Sequence, residues 1–348
     1  MNISFHYFVV RILAEKAGFN ANEAQIIAYA SQYTDDSVAH KEITINNIPT
    51  QLFDVSFVSR RIKGNLFNPI CSAHRDIEYL SYEKIGVQRG VYTSFHFLPA
   101  ELYKGQTDYN YVVLPNGNFA RSVIAKAKEA LVKQKNEKNL IKLGIALHTF
   151  ADNWAHQGFS GRHNDENDVD RLWKLDGNST KEITPLNIAP DVGHAEALTF
   201  PDKTNLLWMI QYANNSKIKM RNNPFSFLDS AKTIYGELIS ITGAENTWDV
   251  FSEKIKTFLE QPKGNDSYPE SFAASSLLFP DISFGYDENE WKKLAITGNV
   301  YDWKGKHFER DMQNEIFNFN GDLKWFFFHE AALEQRDYVY NNINVNLN

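Results

Sequence analysis

The stretch LHTFADNWAHQGFSG, residues 147–161, sets His148, Asp152 and His156 four residues apart. On an α-helix each such step turns the side chain by only about 40°, so the three share an arc of about 80°. Leu147, Phe150 and Trp154 are apolar enough to bury the same helix. A fold that buries it must satisfy two imidazoles and a carboxylate away from water, where an unpaired charge is expensive. A hydrogen-bonded His–Asp network packed in a core is one solution. A divalent metal is the other, and two histidines flanking one aspartate on one face suit it better. One helix cannot complete a metal shell, so further ligands have to come from elsewhere.

Eight of the ten histidines lie in the first 194 residues, and several sit near carboxylates. His6 falls among apolar residues of the first helix, where a core histidine is the plainer reading. TDDSVAH offers Asp35, Asp36 and His40, with Asp36 and His40 an i, i+4 pair; adjacent carboxylates at a helix end are also commonly just solvated. ICSAHRD supplies His74, SFHFLPAE supplies His96 before Pro99, and PDVGHAEALTFPD supplies His194, Glu196 and Asp202. Each alone is weak. Together they give separate segments that each present a histidine, which fits a multinuclear site assembled from distant parts of the chain. His307 in KGKHFER reads as a surface residue, and WFFFHEAALEQRDYV, with His329, as a core helix.

Helical patterning dominates the rest. Phe5, Phe8, Val9, Ile12 and Leu13 recur at helical spacing up to Gly18, and Asn20 with Glu23 opens a second helix as a variant of the capping box. Residues 41–117 read as long loops with short helices or strands, and 158–200 as an irregular excursion. Helices are expected in RSVIAKAKEALVKQK, in NLIKLGIALHTFADNWAHQ, and over 202–217, 225–241, 245–260 and 320–341. No repeat and no Pro/Ser-rich linker divides the 348 residues, so the expectation is an all-α fold: one large helical domain, 1–348, with long loops.

A net charge of −7 argues against an overall basic nucleic-acid footprint, and the single cysteine, Cys71, rules out an intramolecular disulfide and a cysteine zinc cluster. No apolar run reaches the ~18 residues of a membrane span. The start, MNISFHYFVVRILAEKAGF, lacks the features of a cleaved signal. The expected location is therefore the cytosol, or outside the cell by a route without a cleaved signal peptide.

The sequence resembles the zinc-dependent phospholipase C and S1/P1 nuclease superfamily, and more closely an uncharacterised bacterial family of predicted metal-dependent hydrolases related to it. The resemblance rests on His6, ASQYTDD at 30–36, SFHFLPAE at 94–101, LGIALHTFADNWAHQGFSG at 143–161 and, more loosely, GHAEALTFPD at 193–202. It covers residues 1–205 and leaves 220–348 without a counterpart. It implies an all-α fold with two or three zinc ions in a cleft. His6 would bind one zinc, together with the α-amine of Met1, which stands five residues ahead of it as the mature amino terminus does in secreted members. Asp35 or Asp36 would be the carboxylate of the paired ions and the group that orients or deprotonates the attacking water. His96, His148 and Asp152 would complete that pair, with Asp152 bridging to the third ion. His156 and His194 would bind the remaining ion with Glu196 or Asp202. The sequence departs from the family twice: the second helix histidine follows Asp152 by four residues rather than six, which leaves His163 as an alternative to His156, and position 198, four after His194, is Leu.

Clustered zinc ions suit hydrolysis of phosphate esters. The expected activity is that of a phospholipase C-like phosphodiesterase acting on phospholipid. A single-strand nuclease is the alternative, with the many aromatics stacking on bases, and a helical protein with a structural metal is a third reading.

Overall fold

The computed structural model describes residues 1–39, 41–73, 84–101, 111–177, 179–186, 189–261, 267–297 and 315–343; His40, His74 and His307 lie outside them. The chain opens with a π-helical segment, Ser4–Val9, that runs into α1 (Val10–Lys16). Gly18, at φ +92°, then reverses the chain in a conformation that glycine enters without Cβ strain. Asn20 caps α2 (Ala21–Asp36): its side chain accepts the Glu23 backbone N–H, and the Glu23 carboxylate accepts that of Asn20. β1 (Ile43–Asn46), α3 (Val55–Arg61), β2 (Ile62–Lys63), β3 (Leu66–Phe67) and the single turn α4 (Ile85–Val87) follow, and α4 leads into a second π-helical segment, Gln88–His96.

α5 (Asn118–Lys133) packs on α6 (Glu137–Ala155), which is apolar almost all round and buried along nearly its whole length, as a central helix must be. α2, α5, α7 (Asn223–Thr242) and α11 (Lys324–Asn342) surround it. The closest approach is to α2. A Cβ added at Gly144 would lie 2.4 Å from the Ile27 carbonyl oxygen and 2.6 Å from the Ala30 Cβ, so only glycine lets the two backbones touch. α8 (Trp248–Glu260), α9 (Tyr268–Leu278) and α10 (Glu290–Ala295) complete the helical body. Among the described residues no helix is long and apolar enough to cross a membrane. The expected helices over 225–241, 245–260 and 320–341 correspond to α7, α8 and α11. His329 is a core residue of α11, fully buried, with Nδ1 accepting the Ile70 N–H at 3.0 Å.

The expectation of an all-α fold is overturned. The chain is 54% helical but 14% strand, in two four-stranded sheets, which makes it a mixed α/β fold. A small sheet has the order β2-β3-β1-β8, with β8 (Ile316–Asn318) parallel to β1. The second is wholly antiparallel, in the order β5-β4-β6-β7: β4 (Val169–Asp176), β5 (Ser179–Ile183), β6 (Leu207–Tyr212) and β7 (Asn215–Asn222). It occupies much of the segment expected as an irregular excursion and replaces the helix expected over 202–217. The physical reason is period-two burial: Trp208, Ile210 and Tyr212 point inward from β6 while their neighbours stay half-exposed. The inward face, with Val169 and Leu172, makes a separate small core against Phe97, Phe159 and Phe200. It thereby brings the 193–202 loop against the C-terminal end of α6.

Candidate metal centre

Nearly all the expected donors meet at one cleft of about 1090 Å³, most of them lining it and His6 and His148 fully buried behind them. Asp152, buried in α6, is the hub. Its Oδ1 accepts from the Met1 amine and faces His6 Nε2 at 3.0 Å; its Oδ2 faces His96 Nδ1 at 3.1 Å and His148 Nε2 at 3.3 Å. Asp35, from the last turn of α2, stands 3.6 Å from His148 Nε2, 3.8 Å from His96 Nδ1 and 3.9 Å from His6 Nε2. A second focus lies beside the first. His156 Nε2 meets Asp202 Oδ1 at 3.0 Å, His194 Nε2 meets Asp202 Oδ2 at 3.3 Å, and the Met1 nitrogen reaches Asp202 at 3.2 Å. Three sets of three could each hold an ion: His6/Asp35/His148, His96/His148/Asp152 and His156/His194/Asp202.

Local structure explains why these side chains converge. His6 and His96 both lie on π-helical turns, whose wider winding re-aims side chains relative to an α-helix. His148 and Asp152 share the buried face of α6, and His156 is the residue that caps it. His194 and Asp202 enter on the loop held against the antiparallel sheet. Three histidines spend their outer ring nitrogen on a backbone carbonyl: His96 Nε2 donates to Ser72 at 2.8 Å, His156 Nδ1 to His96 at 2.9 Å and His194 Nδ1 to Leu198 at 2.8 Å. A carbonyl can only accept, so these contacts fix the tautomer and leave the inner nitrogen of each ring as a lone pair aimed into the cluster. That is the arrangement metal-ligating histidines adopt. His6 and His148 stack on one another with centroids 3.9 Å apart, and among the described residues neither has a hydrogen-bond partner for its Nδ1.

The electrostatics are those of a buried, carboxylate-rich cluster. Burial works against the charge on Asp152, but His156, the Met1 amine, His148 and His6 around it hold its carboxyl well below the usual range. Asp202 is likewise held far down, by His194, the amine and His156, against its burial. Burial raises Asp35 to about 6. Burial also opposes the charge of the Met1 amine, yet Asp152, Asp202 and Asp35 outweigh it and raise the amine to about 10. Burial lowers His6 and His156, whereas Asp152 and Asp35 raise His96 against its own burial. Three carboxylates and five imidazoles are a hard-and-borderline donor set suited to divalent zinc-like ions. The cluster is sealed on the α6 side, where Asp152 and His148 are fully buried. It opens on the other, where Asp35, Asp202 and His194 keep 28, 22 and 18% of their side chains exposed.

Three expectations are corrected or narrowed. Glu196 does not join the cluster: its Oε2 accepts the Val169 N–H at 2.6 Å, beside Asp168 and Asp191, and burial lifts its carboxyl to about 7. The loop turns back at Leu198, at φ +57°, so the residue four after His194 offers its backbone oxygen to that histidine, and the carboxylate arrives later, from Asp202. Asp36 lines the cleft but faces away from the histidines, accepting from Gln32 and the Tyr286 hydroxyl; Asp35 is the carboxylate that faces them. His163 is exposed on the loop after α6, outside the three sets, and His156 takes the place considered for either. The last third of the chain, which had no assigned part, builds the outer cleft wall with Tyr268, Tyr286, Asp287 and Glu288. No periodicity or spacing in the sequence marks those residues.

The chain belongs to the DUF6765 family, a family of unknown function, which it matches over residues 1–343. No curated protein and no solved structure matches it.

Proposed function

We propose that the cleft is the active site of a metal-dependent hydrolase of phosphate esters, most suited to a phosphodiester of the phospholipase C type and using two or three zinc ions. The observation that carries this reading is the meeting of five imidazoles and three carboxylates around Asp152 on the floor of an open cleft. A core network alone has no need of the tautomer-fixing carbonyls that leave the lone pairs of His96, His156 and His194 directed inward. The donors that converge are also those implied by the resemblance to zinc-dependent phospholipases C and S1/P1 nucleases, with Asp202 in place of Glu196. A purely structural metal is disfavoured by the open side, since structural sites are closed by protein ligands.

Bound zinc would supply an activated water and positive charge against the phosphoryl oxygens. The chain supplies the rest. His6, His148, His96 and Asp152 would hold the ions in fixed positions. Asp35 faces the open cleft with a carboxyl near 6, so at neutral pH it is ionised and placed to take a proton from the attacking water. His156, His194 and Asp202 would hold a further ion, whose positive charge would offset the negative charge that develops on the leaving oxygen. Tyr92, Phe97 and Val192 give the cleft an apolar wall beside the donors.

A single-strand nuclease remains the second reading, because Tyr92, Tyr268 and Tyr286 line the cleft and offer stacking faces. Asp36, Asp287 and Glu288 on the same walls oppose a polyanionic strand, and among the described residues Lys203 is the one lysine or arginine that lines the cleft. The test is direct. Protein purified without chelators is assayed for metal content, for turnover of phospholipid in mixed micelles and for turnover of a single-stranded oligonucleotide. Asp152→Asn and His148→Ala should each remove metal and activity together while the helical circular dichroism persists. Unchanged metal content in both variants would reduce these residues to packing groups.

A further inference from the structure

Arg221 is the last residue but one of β7, with only 7% of its surface exposed, and among the described residues no carboxylate pairs with it. Its guanidinium is instead spent on the C-terminal end of α6. Nη1 donates to the Gln157 carbonyl at 2.7 Å, and Nη2 donates to the Ala155 carbonyl at 2.8 Å and, more weakly, to that of Trp154 at 3.4 Å. A cation here meets the negative end of the helix dipole, which offsets part of the cost of burying it. Trp208, its cross-strand partner, packs with its ring centroid 5.2 Å from the guanidinium carbon. His156 lies between the two residues whose carbonyls Arg221 holds most tightly.

Two residues on, Asn223 does the same for Asp202. Its Nδ2 donates to the carbonyls of Phe200 and Lys203, both at 2.7 Å, and its Oδ1 accepts the Trp208 indole N–H at 3.0 Å. The 3-10 turn Phe200–Asp202 is thus held on both sides of Asp202. One short run of chain, Arg221–Asn223, therefore grips the backbone on either side of two cluster residues whose side chains meet at 3.0 Å. Among the described residues, neither gripping side chain hydrogen-bonds a cluster side chain.

We infer that Arg221 and Asn223 form a clip that sets the spacing of His156 and Asp202, acting as positioning residues for the ion held by His156, His194 and Asp202 while leaving the Asp35/Asp152 side alone. The inference rests on the metal reading above and adds to it a control point at the junction of β7 and α7. Loss of an outer residue that orients a metal ligand typically weakens binding 10–100-fold, and here the loss should fall on one ion only.

The test strips the full-length protein of metal and titrates it with zinc alone, counting ions by native mass spectrometry and measuring stepwise affinity, for the wild type, Arg221→Met, Asn223→Ala and His194→Ala. Thermal melting accompanies each titration. The expected result is that Arg221→Met and Asn223→Ala weaken the same single ion that His194→Ala removes, by tenfold or more, with the remaining affinities unchanged. A general loss of structure would weaken every ion alike, and that result, or wild-type affinity for all ions in both folded variants, overturns the clip. If Arg221→Met does not fold, Arg221→Lys, which can serve fewer of the three carbonyls, is read with Asn223→Ala by the same criteria. A wild-type protein that takes up no zinc sinks the metal reading and the clip together; a wild type with a full set of ions beside variants that match it sinks the clip alone.

Discussion

Gly144→Ala adds one methyl group to the buried α6 and asks the whole α2–α6 contact to make room for it. The new Cβ would sit 2.4 Å from the Ile27 carbonyl oxygen and 2.6 Å from the Ala30 Cβ, whereas ordinary contact begins at 3.4 Å. Both obstacles belong to the α2 backbone or its first side-chain atom, so neither can rotate away, and the helices have to separate by about 1 Å. Overpacking of this kind costs roughly 1–3 kcal/mol, and the better helix propensity of alanine returns about 1 kcal/mol, so the melting temperature should fall only modestly. The cluster has less tolerance. α2 carries Asp35 and α6 carries His148 and Asp152, one turn and two turns beyond the glycine, and metal–ligand distances hold to about 0.2 Å. Zinc affinity should therefore drop at least tenfold while most of the fold survives. Gly236→Ala is the control: that glycine is exposed in α7 with nothing within 4 Å of its added Cβ, and the change should leave zinc binding intact and stabilise by up to about 1 kcal/mol. Zinc titration beside thermal melting reads both effects. A Gly144→Ala protein with wild-type zinc affinity would refute the idea that the helix contact sets the Asp35-to-Asp152 geometry.

Other expectations follow from the same cluster and from the core. Residues added ahead of Met1 displace an amine that contacts Asp152 and Asp202; they should cost zinc and turnover where a carboxy-terminal tag costs neither, and equal zinc content in the two tagged forms would remove the amine from the ligand set. Zinc bound through the amine would have to displace the proton of a group raised to about 10, so affinity should fall as pH is lowered, and fall more steeply below about 6, where Asp35 also protonates; competition titrations at pH 5.5, 7 and 8 that gave one affinity would contradict this. His329 is buried neutral with its imidazole depressed to about 3 from a usual value near 6.5. The unfolded chain then binds the extra proton below pH 6.5, so stability is undiminished above pH 6.5 and is lost progressively toward pH 3, on the order of 5 kcal/mol in all. Urea midpoints of His329→Asn should fall less with acid than those of the wild type over that interval, and parallel curves would show that this histidine is not what acid attacks.

The helix at the heart of the molecule is legible because four-residue spacing of His148, Asp152 and His156 has a direct geometric meaning, and Asn20 with Glu23 because a capping box is a local hydrogen-bond pattern. Residues 207–212 are not, since LWMIQY is a short apolar run that satisfies helical and strand spacing alike; its pairing with β4, far along the chain, decides the matter. Glu196 and Asp202 cannot be ranked by sequence either, because the loop reverses at Leu198 and hands the cluster the more distant carboxylate. Arg221 and Asn223 act through backbone carbonyls of other segments, which no side-chain motif records. The part of the site that lies on one helix is written in its spacing, whereas His6, Asp35, His96 and His194, on separate segments, are reached only through the resemblance, and the choice between Glu196 and Asp202 only through the fold.

The π-helical segment that carries His6 has a consequence for how the chain is made. Its partners appear late in synthesis: Asp152 is 146 residues further on, Ser271 meets Ser4 at 2.6 Å across 267 residues, and the Tyr7 hydroxyl reaches the Gly285 carbonyl across 278. At ~5–20 residues per second a ribosome takes roughly ten seconds or more to deliver Asp152 and about twice that to deliver Gly285. Early in that interval Phe5, Phe8, Val9 and Ile12, all completely buried in the finished protein, have α2 to pack against but not yet α7 or α9. The π-helical segment and α1 thus gain their full set of partners only once the second half of the chain has been translated.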